Sequence, residues 1–487
     1  MRQAGVDRRQ FLKGTAWMGA AAVAAGCMSR GAKLAAGGGA MQGFRVAPLK
    51  KIRVGQVGCG QRGKGALMRM AQIPGVEVAE ICDLHPERTA YYNKLLTDAK
   101  YRPAREHVGP EAYRELCESD IDVVYITTGW DMHVPVALYA MEHGKHALIE
   151  VPAAVTLEDC WALVETAERT RRHCMQLENC CYGEIELLTK SLVEKGILGE
   201  LVHAECGYIH DLRELCYADP RPEIATSWPR QGYDNFWRLR HNQAHKGNQY
   251  ETHGLGPVCE YMNVNRGDRL DYLVSLESNQ FNFEAYARAN FPDHPWKGKL
   301  KIEMGDMNTT LIRTVRGRSI MVQHDVSSPR PYSRINLVTG TKGILKDYPF
   351  SIAFESKPGA GCHDWFDKAG IEEIRREYMH PLWKKAGLIA QKVGGHGGMD
   401  FLMDLRWAYC LQNGLPLDTD VYDLATWCSL GGLTEESVRS RSRSVDVPDF
   451  THGGWKTAAP FGLFDIDLEK MGIRLDSVKK DGHAFSV

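Results

Sequence analysis

Short apolar runs alternate with amphipathic stretches from Lys51 to about Met175. An apolar run of about 4 to 8 residues predicts a buried strand, and an amphipathic stretch predicts a helix. The predicted elements are Ile52 to Val57, Gly63 to Gln72, Val76 to Cys82, Pro86 to Asp98, Val123 to Thr127, His133 to His143 and His146 to Glu150. Because strands alternate with helices here, we predict a parallel, doubly wound sheet.

Beyond about Gln176 the pattern changes to longer strands in which apolar and polar positions alternate. These strands are Leu201 to Tyr208, Asp271 to Glu277, Thr309 to Thr314, Ser319 to Val326 and Ser333 to Val338. A turn at residues 340–343 and helices at Met399 to Gln412 and Val421 to Ser437 complete the pattern. We therefore predict an α/β domain at residues 51–175 and an α+β domain at residues 176–487. The second domain would have a large, mostly antiparallel open sheet, and its C-terminal segment could pack back on the first domain.

The length and charge of the chain limit its partners. The chain has 487 residues, whereas a typical domain has about 100 to 200, so more than one core is expected. Lys and Arg number 60 against 61 Asp and Glu, and the net charge of -1 gives no field that attracts nucleic acid or an anionic membrane. The substrate is therefore expected to be a neutral small molecule or glycan.

The first 30 residues are predicted to direct export. Asp7-Arg8-Arg9-Gln10-Phe11-Leu12-Lys13 resembles a twin-arginine signal, and a weakly apolar, Ala-rich stretch follows it. Ala24-Ala25-Gly26-Cys27 fits either a lipobox, in which Cys27 is lipidated, or ordinary signal cleavage. Residues 31–50, rich in Gly and Ala, predict a flexible linker. We expect the protein in the periplasm or cell envelope, with membrane contact only through a lipid anchor.

A glycine-rich turn follows the first predicted strand. Gly58, Gly60 and Gly63 have the G-x-G-x-x-G spacing of a Rossmann domain. There the first glycine permits a tight turn, the second leaves room for a dinucleotide pyrophosphate, and the third allows close contact between helix and strand. Asp83 ends the next strand, where a carboxylate would bind the ribose. These features predict NAD as the cofactor; the alternative is a glycine turn in an unrelated α/β protein.

The cysteines and histidines do not have the spacing of a metal site. The 14 cysteines are scattered, and Cys180-Cys181 is an adjacent pair without C-x-x-C spacing. Cys59 and Cys82 fall inside the predicted nucleotide-binding core. Since the twin-arginine route exports folded proteins, folding in a reducing compartment predicts mostly free thiols. We predict no structural metal.

Four local patterns lie at the end of the first domain and in the second. They are Glu150-Val151-Pro152, residues 250–257 (YETHGLGP), residues 323–334 (QHDVSSPRPYSR) and residues 394–400 (GGHGGMD). Together they resemble the NAD-dependent glycosidases of glycoside hydrolase family 109, known as α-N-acetylgalactosaminidases. In the wider superfamily of glucose-fructose oxidoreductase and inositol dehydrogenase, the nucleotide domain ends in Glu-Lys-Pro, and the lysine contributes to catalysis in many members. Val151 departs from that superfamily but matches family 109, whereas Glu251 stands where the family often has proline.

The resemblance implies which residues bind cofactor and sugar. For Tyr208, Trp130 and Tyr332, the alternative is that they fill space in the core. The cofactor would contact Arg62, Gly63, Asp83, Trp130, Asp131, Met132, His133, Glu150, Val151 and Asn179. The sugar would contact Tyr208, Arg238, Tyr250, Glu251, Thr252, His253 and Tyr332.

The resemblance also implies a mechanism with net retention. NAD+ would take a hydride from C3 of the sugar, a base would remove the acidified C2 proton, and the C1 substituent would be eliminated. Water would then add at C1, and the hydride would return to C3. His253 and Tyr332 are expected to transfer the protons at C2 and C3, with Glu150 on the nicotinamide side and Tyr250 holding the sugar.

Two histidines lie among glycines. His253 precedes Gly254-Leu255-Gly256, which favours close backbone approach rather than a packed helix. His396 lies between two pairs of glycines and is expected to handle the leaving group or water from a loop. For His396 the alternative is a glycine hinge with an incidental histidine.

We therefore expect an exported glycosidase that releases terminal α-linked N-acetylgalactosamine. A sugar oxidoreductase of the same superfamily and a non-catalytic carbohydrate-binding homologue are the alternatives. Free NADH produced with substrate would favour the oxidoreductase, and sugar binding without turnover would favour the binding protein. The resemblance also implies a homo-oligomer, a dimer or a larger assembly.

Overall fold

The computed structural model describes residues 40–217, 232–233, 236–291, 301–355 and 361–474. The predicted export signal at residues 1–30, the lipobox at Cys27 and the first part of the predicted linker lie outside the described residues. Two sheets organise the described chain, one of 6 strands and one of 8. This architecture confirms the predicted Rossmann domain followed by an α+β domain with a large, mostly antiparallel sheet.

The first sheet is parallel, with the strand order β3-β2-β1-β4-β5-β6. In such sheets helices cover both faces, which explains why the sequence shows continuous apolar runs. The order reverses between β1 and β4, and ligands of these sheets bind beyond the carboxyl ends of the strands at that point. The strands are β1 (Ile52–Val57), β2 (Val76–Asp83), β3 (Arg105–Val108), β4 (Val123–Ile126), β5 (His146–Ile149) and β6 (Cys174–Gln176).

Helices follow the first five of these strands. Pro86 is in the first turn of α2, where backbone N–H groups have no acceptor within the helix, so proline's lack of an N–H costs no hydrogen bond. The Thr156 side chain caps α5 by accepting a hydrogen bond from the Asp159 N–H at 3.1 Å. A 3-10 turn, Asn179–Tyr182, leads from β6 into the second domain. The helices are α1 (Gln61–Met70), α2 (Pro86–Asp98), α3 (Ala112–Glu118), α4 (Trp130–Glu142) and α5 (Leu157–Thr170).

The second sheet has the strand order β13-β12-β11-β7-β10-β9-β8-β14. Neighbouring strands are antiparallel except for β7 and β10, which are parallel and place Cys206 opposite Val322. The strands are β7 (Leu201–Ile209), β8 (Leu270–Glu277), β9 (Asn308–Thr314), β10 (Ser319–Asp325), β11 (Leu337–Gly340), β12 (Gly343–Lys346), β13 (Ser351–Phe354) and β14 (Val445–Asp446).

Helix α9 packs closely against β7. A Cβ at Gly254 would lie 2.4 Å from the backbone nitrogen of Gly207, so only glycine permits this contact. The helices of the second half are α6 (Glu184–Glu194), α7 (Arg213–Tyr217), α8 (Trp237–Ala244), α9 (Thr252–Tyr261), α10 (Asn282–Asn290), α11 (Lys368–Tyr378), α12 (Pro381–Val393), α13 (Met399–Asn413) and α14 (Val421–Arg439).

The last two long helices pack on the Rossmann domain. On α13, the Asp404 carboxylate accepts hydrogen bonds from Arg69 of α1 at 2.7 Å and from the Tyr125 hydroxyl of β4 at 3.0 Å. Val421 and Leu424 of α14 join the apolar core formed by β4, β5 and α5. Residues from the end of the chain therefore complete the core of its first domain.

Most predicted elements occur within a few residues of their predicted ends, but two expectations are wrong. The extended chain predicted at 333–338 is interrupted, because Ile335 and Asn336 have positive φ angles of 64° and 46° and the strand starts at Leu337. His253 lies inside α9, not in a stretch that avoids helix. Helices α1 and α4 begin before their predicted starts at Gly63 and His133. The pattern also gave no indication of β3, α3, α5 or β6.

The described cysteines are free thiols, and all of them except Cys362 are buried. This agrees with a protein that folds under reducing conditions. No helix in the described ranges is both long and apolar enough to cross a membrane.

Candidate active site

The glycine turn after β1 leaves open space in front of helix α1. Gly58 has a φ of +98°, and a Cβ there would lie 2.6 Å from the carbonyl oxygen of Thr127. A Cβ at Gly63 would lie 2.5 Å from the carbonyl oxygen of Gly58, whereas a Cβ at Gly60 would meet no atom within 4 Å. Gly58 and Gly63 are thus required by the protein's own packing. Gly60 borders free space at a helix N-terminus, where a pyrophosphate fits.

Asp83 stands beside this turn at the end of β2. Its Oδ2 accepts a hydrogen bond from the Cys59 N–H at 2.7 Å, and its Oδ1 accepts one from the His85 N–H at 3.0 Å. The carboxylate is therefore held in one orientation next to the space at Gly60. This is the position from which a Rossmann acid binds a ribose, so these residues fit a dinucleotide.

Arg62, in the first turn of α1, joins two carboxylates from distant parts of the chain. Its Nε donates to Glu150, which follows β5, and its Nη1 donates to Asp400 of α13, both at 2.7 Å. Asp400 also accepts hydrogen bonds from the Asn179 side chain and from His396 Nδ1, the latter at 2.9 Å. Asp400, which was not predicted, thus contacts three residues that were predicted from the sequence: Arg62, Asn179 and His396. The fourth, Glu150, joins the network through Arg62.

The charges in this network shift the acidity of both carboxyls. Burial alone would raise the pKa of Asp400, but Arg62, His396 and Arg69 hold it well below its ordinary value. For Glu150, burial raises the pKa, and Arg62 offsets only part of this effect. Asp400 is therefore the fixed anion of the network, whereas Glu150 is the carboxyl that accepts a proton more readily.

The predicted cofactor mouth follows β4. The His133 side chain bridges the carbonyl oxygens of Pro152 and Thr128, at 2.9 and 3.1 Å, and so holds the β4 and β5 loops together. Asp131 is exposed and Met132 half-buried in the first turn of α4. The positions after β4 and β5 thus lie where the resemblance places the cofactor.

Trp130 and Val151 connect this mouth to an aromatic cluster. Both side chains are buried in the same apolar cluster as Tyr208 and Tyr250. The rings of Trp130 and Tyr250 lie 5.8 Å apart, and the Arg238 guanidinium lies 5.1 Å from the Trp130 ring and 4.7 Å from that of Tyr250. Val151 replaces the superfamily lysine with a side chain that cannot carry a proton.

Four residues predicted to contact the sugar lie together. Tyr208 is near the end of β7, Tyr250 and His253 are at the start of α9, and Tyr332 precedes Ser333. The ring of Tyr208 lies 4.4 Å from Tyr250, 5.3 Å from His253 and 6.1 Å from Tyr332. His210, directly after β7, places its ring 5.1 Å from Tyr332, and burial lowers its pKa to about 4. The cluster therefore carries two imidazoles and three phenols beside the cofactor mouth.

His253 is oriented by a buried carboxylate. Its Nδ1 lies 2.7 Å from Glu178 Oε1, and Glu178 also accepts a hydrogen bond from the Cys180 N–H at 3.1 Å. Burial would raise the pKa of Glu178, but the His253 ring and the hydrogen bonds hold it below its ordinary value. The carboxylate fixes Nδ1 as the hydrogen-bond donor, which leaves Nε2 as the nitrogen available for proton transfer.

Glu178, Cys180 and His253 also offer three atoms within 4.8 Å of one another, the only such group of metal-binding side chains in the described ranges. Burial raises the pKa of Cys180 well above its ordinary value, so its sulfur stays protonated. The short bond between Glu178 and His253 already uses two of the three atoms. The arrangement favours a carboxylate–imidazole pair.

Tyr332 contacts a second buried ion pair. Its hydroxyl accepts a hydrogen bond from Arg334 Nη1 at 3.0 Å, and Arg334 in turn donates to Glu186 of α6. Burial raises the pKa of Tyr332, and Arg334 only partly opposes this. The phenol therefore stays protonated, and it can give a proton.

The remaining predicted residues lie apart from this cluster. Glu251 and Thr252, predicted to bind sugar, are fully buried at the start of α9, and burial raises the pKa of Glu251 well above its ordinary value. His396, predicted to be catalytic, contacts Asp400 and lies 3.5 Å from Arg62 Nη1, so it stands at the cofactor turn.

Sequence reasoning missed four polar residues of the site. Glu178 precedes the predicted Asn179 directly and follows β6, where parallel strands gather functional groups. Arg334 and Asp400 lie within two of the patterns quoted above but received no role. His210 lies two positions after Tyr208, directly beyond the end of β7. Each could have been found by its neighbourhood, but not by its own residue type.

Two known domain families match the chain. The oxidoreductase family with an NAD-binding Rossmann fold matches residues 52–177. The glycosyl hydrolase 109 C-terminal domain matches residues 182–457. The fold and the site thus define an NAD-dependent glycoside hydrolase built on an oxidoreductase scaffold.

Curated relatives identify the family itself. A glycosyl hydrolase family 109 protein from Shewanella amazonensis is 44% identical over 95% of this chain and 100% of its own. An α-N-acetylgalactosaminidase from Bacteroides fragilis is 46% identical over 85% of this chain and 95% of its own. The chain belongs to glycoside hydrolase family 109.

Solved structures support the fold. Levoglucosan dehydrogenase in complex with NADH and L-sorbose aligns with a TM-score of 0.62 at 19% identity, covering 82% of this chain and 100% of that one. The apo scyllo-inositol dehydrogenase of Lactobacillus casei aligns with a TM-score of 0.56 at 13% identity, covering 82% and 99%. The glycosidase thus shares its architecture with sugar and polyol dehydrogenases.

Proposed function

We propose that this chain hydrolyses terminal α-linked N-acetylgalactosamine and that its NAD ends each turnover in the oxidation state in which it began. The observation that carries the proposal is the His253–Glu178 pair inside a tyrosine cluster next to a dinucleotide turn. Most glycosidases place two carboxyl groups on either side of the scissile bond, and NAD-dependent ones are exceptions. In this cluster Glu178 is hydrogen-bonded to His253 and stays ionised, so it is not one of two carboxyl groups placed on either side of a scissile bond. The sugar preference is supported by the name of the Bacteroides fragilis relative.

The turn at Gly58 to Gly63, with Asp83, Glu150 and Val151, would hold the cofactor. When bound, NAD+ would supply a hydride acceptor beside C3 of the sugar and, once reduced, a hydride donor for the same carbon. Val151 keeps the adjoining wall apolar, which excludes water and withholds the proton carrier that many dehydrogenases of the superfamily have at this position.

In the proposed reaction His253 Nε2 removes the proton from C2 of the sugar. The Glu178 carboxylate keeps the ring in the required tautomer and stabilises it when it is protonated. This is the role that a buried carboxylate has beside a histidine base in hydrolases.

Tyr332 serves as the acid partner. Its hydroxyl stays protonated because it is buried, and the Arg334 guanidinium at 3.0 Å stabilises the phenolate that forms when the proton is given up. Tyr250 and Arg238 hold the sugar against the Tyr208 ring. In the proposed reaction the Tyr332 proton goes to the leaving oxygen at C1, or to the C3 oxygen when the hydride returns to C3, and the pose of the sugar decides between these two oxygens.

We propose export by the twin-arginine route, with the mature protein in the periplasm or envelope and Cys27 as a lipid attachment point. The proposal is supported by the Asp7 to Lys13 pattern and by the chemistry itself. A cofactor regenerated in place needs no exchange with the cytoplasmic NAD pool. A fusion of residues 1–40 to a folded reporter, followed by fractionation of the cells, checks the route.

We also propose that the chain forms a homo-oligomer through the open face of the large sheet. Leu276 of β8 and Leu311 of β9 are 67% and 51% exposed, and Tyr272 is 38% exposed. The register places Val274, between Tyr272 and Leu276, opposite Leu311, so all three side chains share one face. Apolar residues grouped in this way favour an interface, and the solution mass of the protein checks it.

The proposed function is tested with nitrophenyl glycosides. Purified protein is mixed with α- and β-linked nitrophenyl N-acetylgalactosamine, galactose and glucose while nitrophenol and reduced nicotinamide are recorded together. We expect release from the α-linked N-acetylgalactosamine substrate without net NADH. Stoichiometric NADH with no nitrophenol would indicate a sugar oxidoreductase, and binding of N-acetylgalactosamine with no turnover of any substrate would indicate a carbohydrate-binding protein.

A further inference from the structure

We infer that Asp400 and the loop of residues 394–398 form a clamp that retains the dinucleotide. The inference takes its reason from the proposed function, in which NAD is regenerated in place, but its test measures NAD alone and needs no sugar. A cofactor that is regenerated in place has to stay bound through many turnovers, and the Rossmann turn alone comes only from the first half of the chain. The clamp reaches that turn from the second half.

One buried carboxylate makes the connection. Asp400, whose side chain is 1% exposed, accepts a hydrogen bond from Arg62 Nη1 at 2.7 Å and one from His396 Nδ1 at 2.9 Å. The Asn179 side chain donates to its other oxygen. Asp400 thus ties together the first turn of α1, the segment after β6 and the loop. Hydrogen bonds to a charged partner are the stronger ones, so the three groups are fixed in one arrangement.

The loop has a backbone that only glycine adopts easily. Its five consecutive residues, Gly394 to Gly398, have φ angles of 99°, 83°, 46°, 73° and 108°. A Cβ at Gly395 would lie 2.6 Å from the Asp400 Cβ, and one at Gly398 would lie 2.7 Å from the backbone of Ala390. This strained path folds His396 back over the carboxylate. Of these residues only His396 is not glycine, so the backbone strain lies at His396. This conformation places its imidazole beside Arg62.

Arg62 is the part of the clamp that meets the cofactor turn. Glu150 holds its Nε and Asp400 holds its Nη1, so the guanidinium is set before the dinucleotide arrives. His396, 41% exposed, covers the pair from the open side at 3.5 Å. A pre-organised arginine at the first turn of α1 loses little entropy on binding, and this slows dissociation of the ligand. Without Asp400, Arg62 keeps only the Glu150 anchor, and the loop loses its attachment.

The chain offers a matched control one helical turn away. Asp404 is as buried as Asp400, lies on the same face of α13, and pairs with Arg69, which Asp400 also approaches at 3.4 Å. Asp404 also accepts hydrogen bonds from the Tyr125 hydroxyl and the Trp407 ring N–H. Asp404→Asn therefore removes a buried charge from the same helix and leaves Arg62, Asn179 and His396 untouched.

The experiment measures NAD itself. Wild type, Asp400→Asn and Asp404→Asn are purified identically; NAD per chain is determined after denaturation, and its dissociation rate is measured by exchange into labelled NAD without any sugar. We expect Asp400→Asn to release NAD at least about tenfold faster, the effect of losing one charged hydrogen bond. Asp404→Asn should stay within about twofold of wild type, although both variants melt at lower temperature. Equal acceleration in both variants, or none in Asp400→Asn, would overturn the clamp.

A second variant covers the case in which Asp400→Asn does not fold. His396→Ala shortens an exposed side chain and leaves the core intact. We expect its melting temperature to match wild type while NAD leaves about threefold faster, since one of the hydrogen bonds to Asp400 is lost. An unchanged NAD dissociation rate in a folded His396→Ala protein would also contradict the inference. Because the assay contains no sugar, it can fail or succeed whatever the glycosidase assay shows.

Discussion

The pair formed by Glu178 and His253 is the site's most specific feature at the scale of single residues. We predict that Glu178→Gln lowers kcat at least about tenfold and changes KM little, because the carboxylate acts through the histidine and not on bound sugar. An amide no longer supplies the charged acceptor that fixes Nδ1 of His253 as the hydrogen-bond donor. Both kcat and KM are measured from the rate of nitrophenol release against substrate concentration.

Glu260→Gln is the matched control for this prediction. Glu260 lies on the same helix as His253, is equally buried, and pairs with Lys190 at 2.7 Å away from the cluster. Its substitution should lower stability and leave kcat close to the wild-type value. A fall in kcat of the same size in both variants, or in neither, would show that Glu178 has no specific role at His253.

The sequence identifies the residues of this site unevenly. Tyr250 and His253 belong to a pattern that resembles a known family, Tyr208 is a sugar contact that the same resemblance implies, and the structure brings the three together. Glu178 belongs to no such pattern, because a carboxylate before a short 3-10 turn is common. Its function depends on α9 arriving from some 75 residues later in the chain, and one sequence does not show which helix will face which strand end.

At the scale of elements, the β1–turn–α1 unit separates what the fold requires from what the cofactor requires. We predict that Gly58→Ala lowers the free energy of unfolding by about 1 to 3 kcal/mol, because its φ is positive and the new Cβ would meet the Thr127 backbone. Gly60→Ala should leave the melting temperature unchanged, since its Cβ meets open space. It should nevertheless release NAD at least about tenfold faster, because that space is where the pyrophosphate fits.

Thermal melts and NAD content of the two variants check this prediction. Retention of NAD by a folded Gly60→Ala protein at the wild-type level would place the pyrophosphate elsewhere.

The same unit shows which features the sequence pattern can predict. The strand, the turn and the acid at Asp83 are local features and were all predicted from the sequence.

Helix α9 shows where local helix propensity predicts the wrong structure. Gly254, Gly256 and Pro257 are poor helix formers, so the sequence favours a loop around His253. In the structure Gly254 is needed because the helix lies directly on β7, and a Cβ at Gly256 would lie 3.0 Å from the Glu178 Cγ. A close contact between distant elements outweighs local propensity, and this is what the sequence pattern does not contain.

At the scale of the whole molecule, several buried histidines link stability to pH. Burial lowers the pKa of His146, His324 and His380 to about 3, whereas the unfolded value is about 6.5. The unfolded chain therefore binds protons that the folded protein excludes. Stability is fully present above about pH 6.5 and falls as the pH is lowered toward 3, with a slope near 1.4 kcal/mol per pH unit for each such histidine.

We thus predict a melting temperature that drops steadily between pH 6.5 and pH 4.5, measured by calorimetry at constant ionic strength. His146→Gln, which still accepts a hydrogen bond but does not titrate, should show a shallower drop. A melting temperature that is constant across this range would show that these histidines are protonated in the folded protein.

The two-sheet organisation itself was predictable, since periodicity changes at about residue 176 from buried parallel strands to alternating ones. The packing of α13 and α14 on the Rossmann domain was one of the arrangements that the sequence allowed, but the sequence did not select it. It decides much of the function, because Asp400 reaches the cofactor turn from there. An oxidoreductase scaffold closed in this way suits a cofactor that stays in place.

The most direct test of the central claim is glycoside hydrolysis in deuterated water by protein that carries its own NAD. Our account predicts that every released N-acetylgalactosamine molecule has deuterium at C2, because His253 exchanges that proton with solvent in each turnover, while total NADH stays constant. Sugar released with its original C2 hydrogen, or hydrolysis by protein stripped of NAD, would contradict it.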